Sequence, residues 1–211
     1  MDKRQVNIAV LVSGGGTNLQ ALIDAQKKGT LRSGRIRLVI SSNSIAYALK
    51  RAEAEGIPAY SVTKKDCGGT EQMEAEIIKK LREYDIELIV LAGFMSILSG
   101  DFIRQYDRRV INVHPSLIPS FCGEGFYGLR VHEAALAKGV KVTGATVHFV
   151  NEITDGGEII MQKPVFVHEG DTPKTLQERV MRMAEWRILP AAAENVSAQL
   201  LKRMGENNER L

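Results

Sequence analysis

Two stretches, Val6–Val12 and Glu87–Ala92, are apolar almost throughout, the pattern of strands buried on both faces of a parallel sheet. Ile36–Ile40, Ile57–Val62 and Arg109–Ile111 read as further strands of the same sheet. Between them apolar positions recur at helical spacing: Leu19, Leu22 and Ile23 up to Gly29, then Ile45, Ala48, Leu49 and Ala52 up to Gly56. Thr70 with Glu71 and Glu74 opens a helix that turns Met73, Ile77, Ile78 and Leu81 inward, and Ser99 is placed to cap a short helix through Tyr106. Arg130 to Lys138 reads as helix with Gly139 as its stop. Lys141 to Val150 alternates as a strand with Val142, Gly144, Thr146 and His148 on one side. The turn Asn151–Gly157 then leads into a returning strand, Glu158–Gln162. The segment from Thr172 to Arg203 is helical, with Leu176, Val180, Met183, Ile188 and Leu189 inward and a kink or division at Pro190. Lys64 to Gly69 and Ser120 to Leu129 read as loops.

Strands alternating with helices predict an α/β protein. The expectation is one open, mainly parallel twisted sheet with a hairpin at Lys141–Val167 and a long C-terminal helix. A single domain covers residues 1–204, and a polar tail, 205–211, frays. The carboxyl ends of the strands then share one edge, where ligands bind in such sheets.

Chemistry concentrates in Asn112-Val113-His114-Pro115-Ser116-Leu117-Ile118-Pro119. Asn112 and His114 are two apart on a strand, so they point the same way. Pro115 cannot donate to a ladder, so the strand ends there. An amide N–H can stabilise an oxyanion, and an imidazole exchanges protons near neutral pH. The same residues also fit a polar strand end closed by a proline turn. Asp155, before Gly156-Gly157, is ordinary turn chemistry. Brought to His114 by the fold, its carboxylate would hold the imidazole and raise its pKa.

Val6–Val12 runs into Ser13-Gly14-Gly15-Gly16-Thr17-Asn18 and then a helix, the layout of a phosphate cradle. No GxxxxGK[ST] is present, and the third glycine of GxGxxG falls on Leu19. The next strand ends in Ser41-Ser42-Asn43 with no acid for a ribose diol, so a single phosphate fits better than a dinucleotide. A glycine turn without ligand fits as well. The loop Gly93-Phe94-Met95-Ser96-Ile97-Leu98 is apolar where polar residues are expected. It either packs on the core, the commoner outcome, or walls a flat aromatic ligand. His148 reads as a satisfied structural histidine, and His132 and His168, in polar context, as surface residues. Arg182 and Glu185, three apart, read as an exposed ion pair on one helical face.

Composition narrows the partners. Lys+Arg 28 against Asp+Glu 25 gives +3 over 211 residues, too little to argue for nucleic acid. No apolar run is long enough for a membrane span. Cys67 and Cys122 make no metal-ligand spacing; free thiols in a reducing cytoplasm are expected, with a single disulfide as the alternative.

Four blocks occur in order: Ser13-Gly-Gly-Gly-Thr-Asn-Leu-Gln-Ala-Leu22, Leu91-Ala-Gly-Phe-Met-Ser-Ile-Leu98, Ile111-Asn-Val-His-Pro-Ser-Leu-Ile-Pro119, and Gly144-Ala-Thr-Val-His-Phe-Val150 with Asp155-Gly-Gly157. Together they resemble the phosphoribosylglycinamide formyltransferases, a folate-dependent family of purine synthesis, across roughly Val6 to Pro190. The resemblance implies a Rossmann-like formyltransferase fold. It also implies transfer of the formyl group of 10-formyltetrahydrofolate to the amine of a glycinamide ribonucleotide, with no metal. By the same resemblance Asn112, His114 and Asp155 are catalytic. Gly15, Gly16, Thr17 and Asn18 hold the ribonucleotide phosphate, with Arg182 a further phosphate partner, and Glu185 meets the substrate amine. Met95, Ser96, Ile97, Leu98, Asn112 and Val150, with the loop to Asp155, form the folate pocket. The partners implied are small molecules, neither nucleic acid nor membrane, with a homodimer possible in the cytoplasm. Arginines that some family members carry fall here on Ser96 and Thr70, so the folate's glutamate tail either relies on Lys64 or Lys65 or is held more weakly.

Other readings compete. A methionyl-tRNA formyltransferase needs a further tRNA-binding domain, and a formyltetrahydrofolate hydrolase usually an N-terminal regulatory one. With the block starting at Val6 and little chain after Pro190, neither is expected. A non-catalytic phosphometabolite-binding module would keep the glycine loop without needing Asn112, His114 and Asp155 together.

Overall fold

The structure, a computed structural model, describes residues 4–208. They form two compact units, one of residues up to Leu98 with those from Ala193 onward, the other Ser99–Ala192. The first holds β1 (Val6–Val12), α1 (Thr17–Lys27), β2 (Gly34–Ser41), α2 (Tyr47–Ala54), β3 (Ala59–Ser61), α3 (Lys64–Cys67), α4 (Thr70–Glu83) and β4 (Leu88–Leu91). The second holds α5 (Gly100–Gln105), β5 (Val110–His114), α6 (Leu129–Lys138), β6 (Val142–Phe149), β7 (Ile159–Phe166) and α7 (Pro173–Val180). A π-helical turn, Met181–Glu185, follows, and then α8 (Trp186–Asn208), which belongs to the first unit from Ala193 onward. The strand order is β3-β2-β1-β4 in the first unit and β5-β6-β7 in the second, strands accompanied by helices in an α/β fold as predicted.

In the first unit β1 pairs in parallel with β2 and β4, and β2 with β3. The apolar runs explain this arrangement. Every residue of β4 is buried, and in β1 only Asn7 is less than fully so. Ile8, Leu11, Leu38 and Ile40 from the strands and Leu19, Leu22, Met73, Ile77 and Leu81 from the helices belong to the core, all at 0–1% exposure. Each such side chain contributes roughly 1.5–3 kcal/mol. In the second unit β5 pairs with β6 and β6 with β7, both antiparallel, so the hairpin expected at Lys141–Val167 is present. Ser99 caps α5 by accepting the Phe102 N–H at 3.2 Å, as expected from its position before the apolar turn.

Three local expectations are corrected. Lys64–Gly69 is not a plain loop: Thr63 accepts the Asp66 N–H and starts the short helix α3, which Gly68 ends in the left-handed region. Ile45 precedes α2 rather than belonging to it and is 87% exposed. The C-terminal helical segment divides at Met181–Glu185, and Pro190 lies inside α8. A π turn inserts a residue into the helical repeat. The inward stripe therefore passes from Leu176 and Val180 to Ala184 and Glu185, then Ile188 and Leu189, while Met183 is 45% exposed. Glu185 is thus buried at 6% and Arg182 exposed, not an exposed pair. α8 stays helical to Asn208, and the rest of the expected tail lies outside the described residues. Among the described residues no helix is long and apolar enough to cross a membrane.

α8 is tied down by one carboxylate. Glu194 accepts the N–H groups of Arg32 and Ser33, both at 2.8 Å, and the Ser33 hydroxyl at 2.8 Å. The expected result of Glu194→Ala is a loss of about 1–3 kcal/mol in urea unfolding, because backbone donors lose a charged acceptor. An unchanged midpoint would mean that water replaces the carboxylate without loss.

Candidate active site

The second unit gathers the expected trio at the end of β5. Antiparallel pairing sets Asn112 opposite His148 and His114 opposite Thr146, so all four share one face. Below them, the Pro-Ser-Leu-Ile-Pro turn is pinned by Thr146. Its hydroxyl donates to the Ser116 carbonyl at 2.7 Å and accepts the Ile118 N–H at 3.1 Å and the Gln162 amide at 3.0 Å. Asp155 enters from the turn after β6, with φ +54°. Gly157 makes that turn possible: a Cβ there would come within 1.7 Å of the Phe149 carbonyl oxygen.

Asp155 lies between two imidazoles. One carboxylate oxygen is 3.5 Å from His114 Nδ1, the other 3.6 Å from His148 Nε2. Oδ2 also accepts the Gly123 N–H at 2.9 Å. Burial by itself would raise the Asp155 pKa. The contacts with His148 and the Gly123 N–H, and the two imidazoles, outweigh it and leave the carboxyl below its usual value.

Two carbonyls fix the tautomers, because a carbonyl only accepts. His148 Nδ1 is 2.8 Å from the Phe149 carbonyl and must carry its proton there. In the neutral ring Nε2 is therefore an acceptor, and the atom of Asn112 at 3.2 Å is its Nδ2 donor. His148 so orients the Asn112 amide. His114 Nε2 is 2.8 Å from the Phe121 carbonyl and donates to it, leaving the Nδ1 lone pair toward Asp155.

This geometry corrects one expectation. Asp155 does raise the His114 pKa, but burial works the other way and is larger, so the imidazole titrates below its ordinary value. His114, 5% exposed, rests as a neutral ring. Among the described residues no group of three or more His, Cys, Asp or Glu is placed to hold a metal ion.

The remaining expected residues are placed as follows. In the first unit, Gly14 and Gly15 are exposed, Gly16 and Thr17 half-buried, and Asn18 buried where α1 begins. Gly16 has φ +72°, and a Cβ on it would meet the Ala48 Cβ at 2.7 Å, so both conformation and space demand glycine. Ser13 Oγ accepts the Met95 N–H at 2.8 Å and joins this loop to the apolar one. The expectation that the apolar loop mainly packs on the core is overturned. Met95 is 56% and Ile97 79% exposed, with Ser96 and Leu98 half-buried. Val150, in the second unit, is half-buried with its N–H on the Val110 carbonyl at 2.9 Å. Glu185 is buried in the π turn of the same unit.

His148 is the satisfied, buried histidine that the sequence predicts, with partners on both ring nitrogens, and its place beside Asn112 follows only from the β5–β6 register. His132 was expected at the surface, but it is fully buried on α6.

Known proteins resemble the chain over most of its length. The family described as formyl transferase matches residues 6–193. The phosphoribosylglycinamide formyltransferase of Escherichia coli K12 is 39% identical over 83% of this chain and 80% of its own length. The human trifunctional purine biosynthetic protein adenosine-3 is 43% identical over 99% of this chain, which spans only 20% of that protein. The crystal structure of glycinamide ribonucleotide transformylase 1 from Symbiobacterium toebii superposes with a TM-score of 0.86 at 38% identity, covering 92% of this chain and 89% of that one. The phosphoribosylglycinamide formyltransferase of Coxiella burnetii gives 0.84 at 40% identity, over 93% and 89%.

Neither ring nitrogen of His132 has a hydrogen-bond partner, and burial pushes its pKa down to about 4, with His114 adding to the effect. An unfolded imidazole titrates near 6.5, so between about pH 6.5 and 4 the unfolded chain binds more protons than the folded one. Stability from this group is complete above 6.5 and is lost as pH falls. Between pH 7 and pH 5 the loss is expected to be on the order of 1–2 kcal/mol. Urea unfolding of His132→Leu should show a shallower decline over that interval than the unsubstituted protein; parallel declines would remove His132 as the cause.

Proposed function

The chain belongs to the formyl transferase family, and from that premise we propose that it transfers the formyl group of 10-formyltetrahydrofolate to the amine of phosphoribosylglycinamide, a step of purine (IMP) biosynthesis. The observation that carries the reading is the His114 ring held between the Phe121 carbonyl and Asp155, on the same strand face as Asn112.

Attack of the amine on the formyl carbon forms the new N–C bond and moves the carbonyl electron pair onto oxygen. Collapse then breaks the bond to the folate nitrogen. The attacking nitrogen loses a proton and the leaving nitrogen gains one, so the site must stabilise one negative oxygen and carry one proton between the two events. His114 Nε2–H already has an oxygen acceptor at 2.8 Å, the Phe121 carbonyl. In the reaction that acceptor is exchanged for the oxyanion. Asn112 supplies a second donor, since His148 uses only one N–H of its amide. As negative charge grows on the oxygen, the His114 pKa rises. A proton carried at Nδ1 is then balanced by Asp155 while Nε2–H stays on the oxyanion. The neutral resting ring suits this role better than a permanent imidazolium, because it has a place for the proton.

Residues of the first unit have roles of their own in this reading. Gly15, Gly16, Thr17 and Asn18 take the ribonucleotide phosphate at the start of α1. Met95, Ser96, Ile97 and Leu98 take the folate in this reading, with Met95 and Ile97 offering exposed apolar surface to a pterin. Lys64 and Lys65, exposed on α3, suit the carboxylates of the glutamate tail in place of the arginines missing at Ser96 and Thr70. In the second unit Val150 and the loop to Asp155 face the folate and Glu185 the amine. Cys67 and Cys122 are unpaired, which suits a reducing cytoplasm.

An absorbance assay of purified protein with 10-formyltetrahydrofolate is expected to show deformylation only when the ribonucleotide is present. Deformylation without it would favour a hydrolase, and ribonucleotide binding with no deformylation a binding module. Asp155→Asn is expected to lower kcat by about 10²–10⁴. It should also move the acid limb of the kcat/KM profile to lower pH, because the charge that raises the His114 pKa is gone. An unmoved acid limb with an alkaline limb displaced to lower pH would mean that His114 must start protonated.

A further inference from the structure

The glycine loop between β1 and α1 is oriented from its back. Three successive carbonyls point to the β2–α2 segment. Ser13 O accepts from Asn43 Nδ2 at 3.3 Å, Gly14 O from the Ala48 N–H at 3.1 Å, and Gly15 O from Arg51 Nε at 2.8 Å. In a planar trans peptide the N–H of the next residue points opposite to the carbonyl. The N–H groups of Gly14, Gly15 and Gly16 are thereby turned away from α2. With Gly16 in the left-handed region, this run has the form of an anion-binding nest.

One of the three anchors is a charged side chain. Arg51 Nη1 also donates to Gln20 Oε1 at 2.9 Å, and Gln20 in turn donates to Asp24 at 2.9 Å. The Gln20 N–H closes the first turn of α1 on the Gly16 carbonyl at 2.9 Å. The Arg51 guanidinium lies over the Tyr47 ring, 5.1 Å from its centroid, which holds the fork in place. Two of its donors are thus committed to the back of the loop and the start of the helix.

We propose that Arg51 is a positioning residue: by fixing the Gly15 carbonyl it aims the Gly16 N–H at the phosphate of the ribonucleotide, and so sets affinity for that substrate and not for the formyl donor. The inference rests on the reading that this loop takes the ribonucleotide phosphate. Arg51 acts through geometry rather than charge. A lysine keeps the charge, but its single ammonium on a flexible stem cannot reproduce a planar fork on two separate acceptors.

The test is steady-state kinetics of Arg51→Met and Arg51→Lys, with calorimetric binding of ribose 5-phosphate and thermal unfolding of each variant. Arg51→Met is expected to raise the KM for the ribonucleotide about tenfold, the scale of one charge-assisted hydrogen bond. The kcat and the KM for the donor should change less than twofold. Arg51→Lys should recover only a minor part of the loss. An unchanged ribonucleotide KM, or a fall in thermal stability with KM intact, would overturn the proposal. So would full recovery in Arg51→Lys, which would assign the effect to charge. Calorimetry keeps the two readings apart. Absence of turnover in the unsubstituted protein would count against formyl transfer, while weaker ribose 5-phosphate binding in Arg51→Met would still support the positioning role. Equal binding in both would refute it.

Discussion

A carboxylate removed from water must be met by donors or opposite charge, and Asp155 has one donor at rest, the Gly123 N–H, with two imidazoles beside it that can each take up a proton, parts from three separate stretches of the second unit. The imidazoles come from β5 and β6, and the Gly123 N–H from the loop after the proline turn. Isolated, such an ion would be neutralised or expelled. Paired in this way, it draws the end of β5, the end of β6 and the loop into one arrangement. The same carboxylate makes His114 a conditional base. Burial keeps the ring neutral at rest, and Asp155 is in place to balance a proton once negative charge develops nearby.

The histidines illustrate how much is settled by hydrogen bonds that carry no sequence signal. The Phe121 and Phe149 carbonyls decide which nitrogen of each ring bears the proton. From that choice follows the orientation of the Asn112 amide, and from the amide the supply of donors for an oxyanion. The first unit uses the same device in backbone form. Carbonyls of the glycine loop are held on the α2 side, and peptide planarity turns the N–H groups the other way. In both units the groups that would touch a ligand are set by groups that would not.

Much of the fold and part of the site could be read from the chain alone. Continuous apolar runs at Val6–Val12 and Leu88–Leu91 marked buried parallel strands, because a strand covered on both faces has no solvent side to alternate with. The spacing of Asn112 and His114, the proline that ends β5, and the strand–glycine–helix layout at Ser13–Asn18 were equally local. So was the Ser99 cap. Each depends only on residues near one another in sequence.

What the tertiary structure decided depends on distant partners. His132 looked polar in its sequence context and is fully buried, since burial reflects what packs on α6 and not the residues beside it. Met183 fitted a regular helical stripe, but a π turn shifted the phase and put Ala184 and Glu185 inside instead. The Met95–Leu98 loop is apolar and nonetheless exposed. The sign of the His114 shift could not be read from an adjacent carboxylate, because burial opposes Coulomb attraction and only the folded chain sets the balance between them. Sequence by itself determined which residue types stand at the ends of which strands. The register of β5 on β6, and the depth at which it buries them, determined what those residues can do.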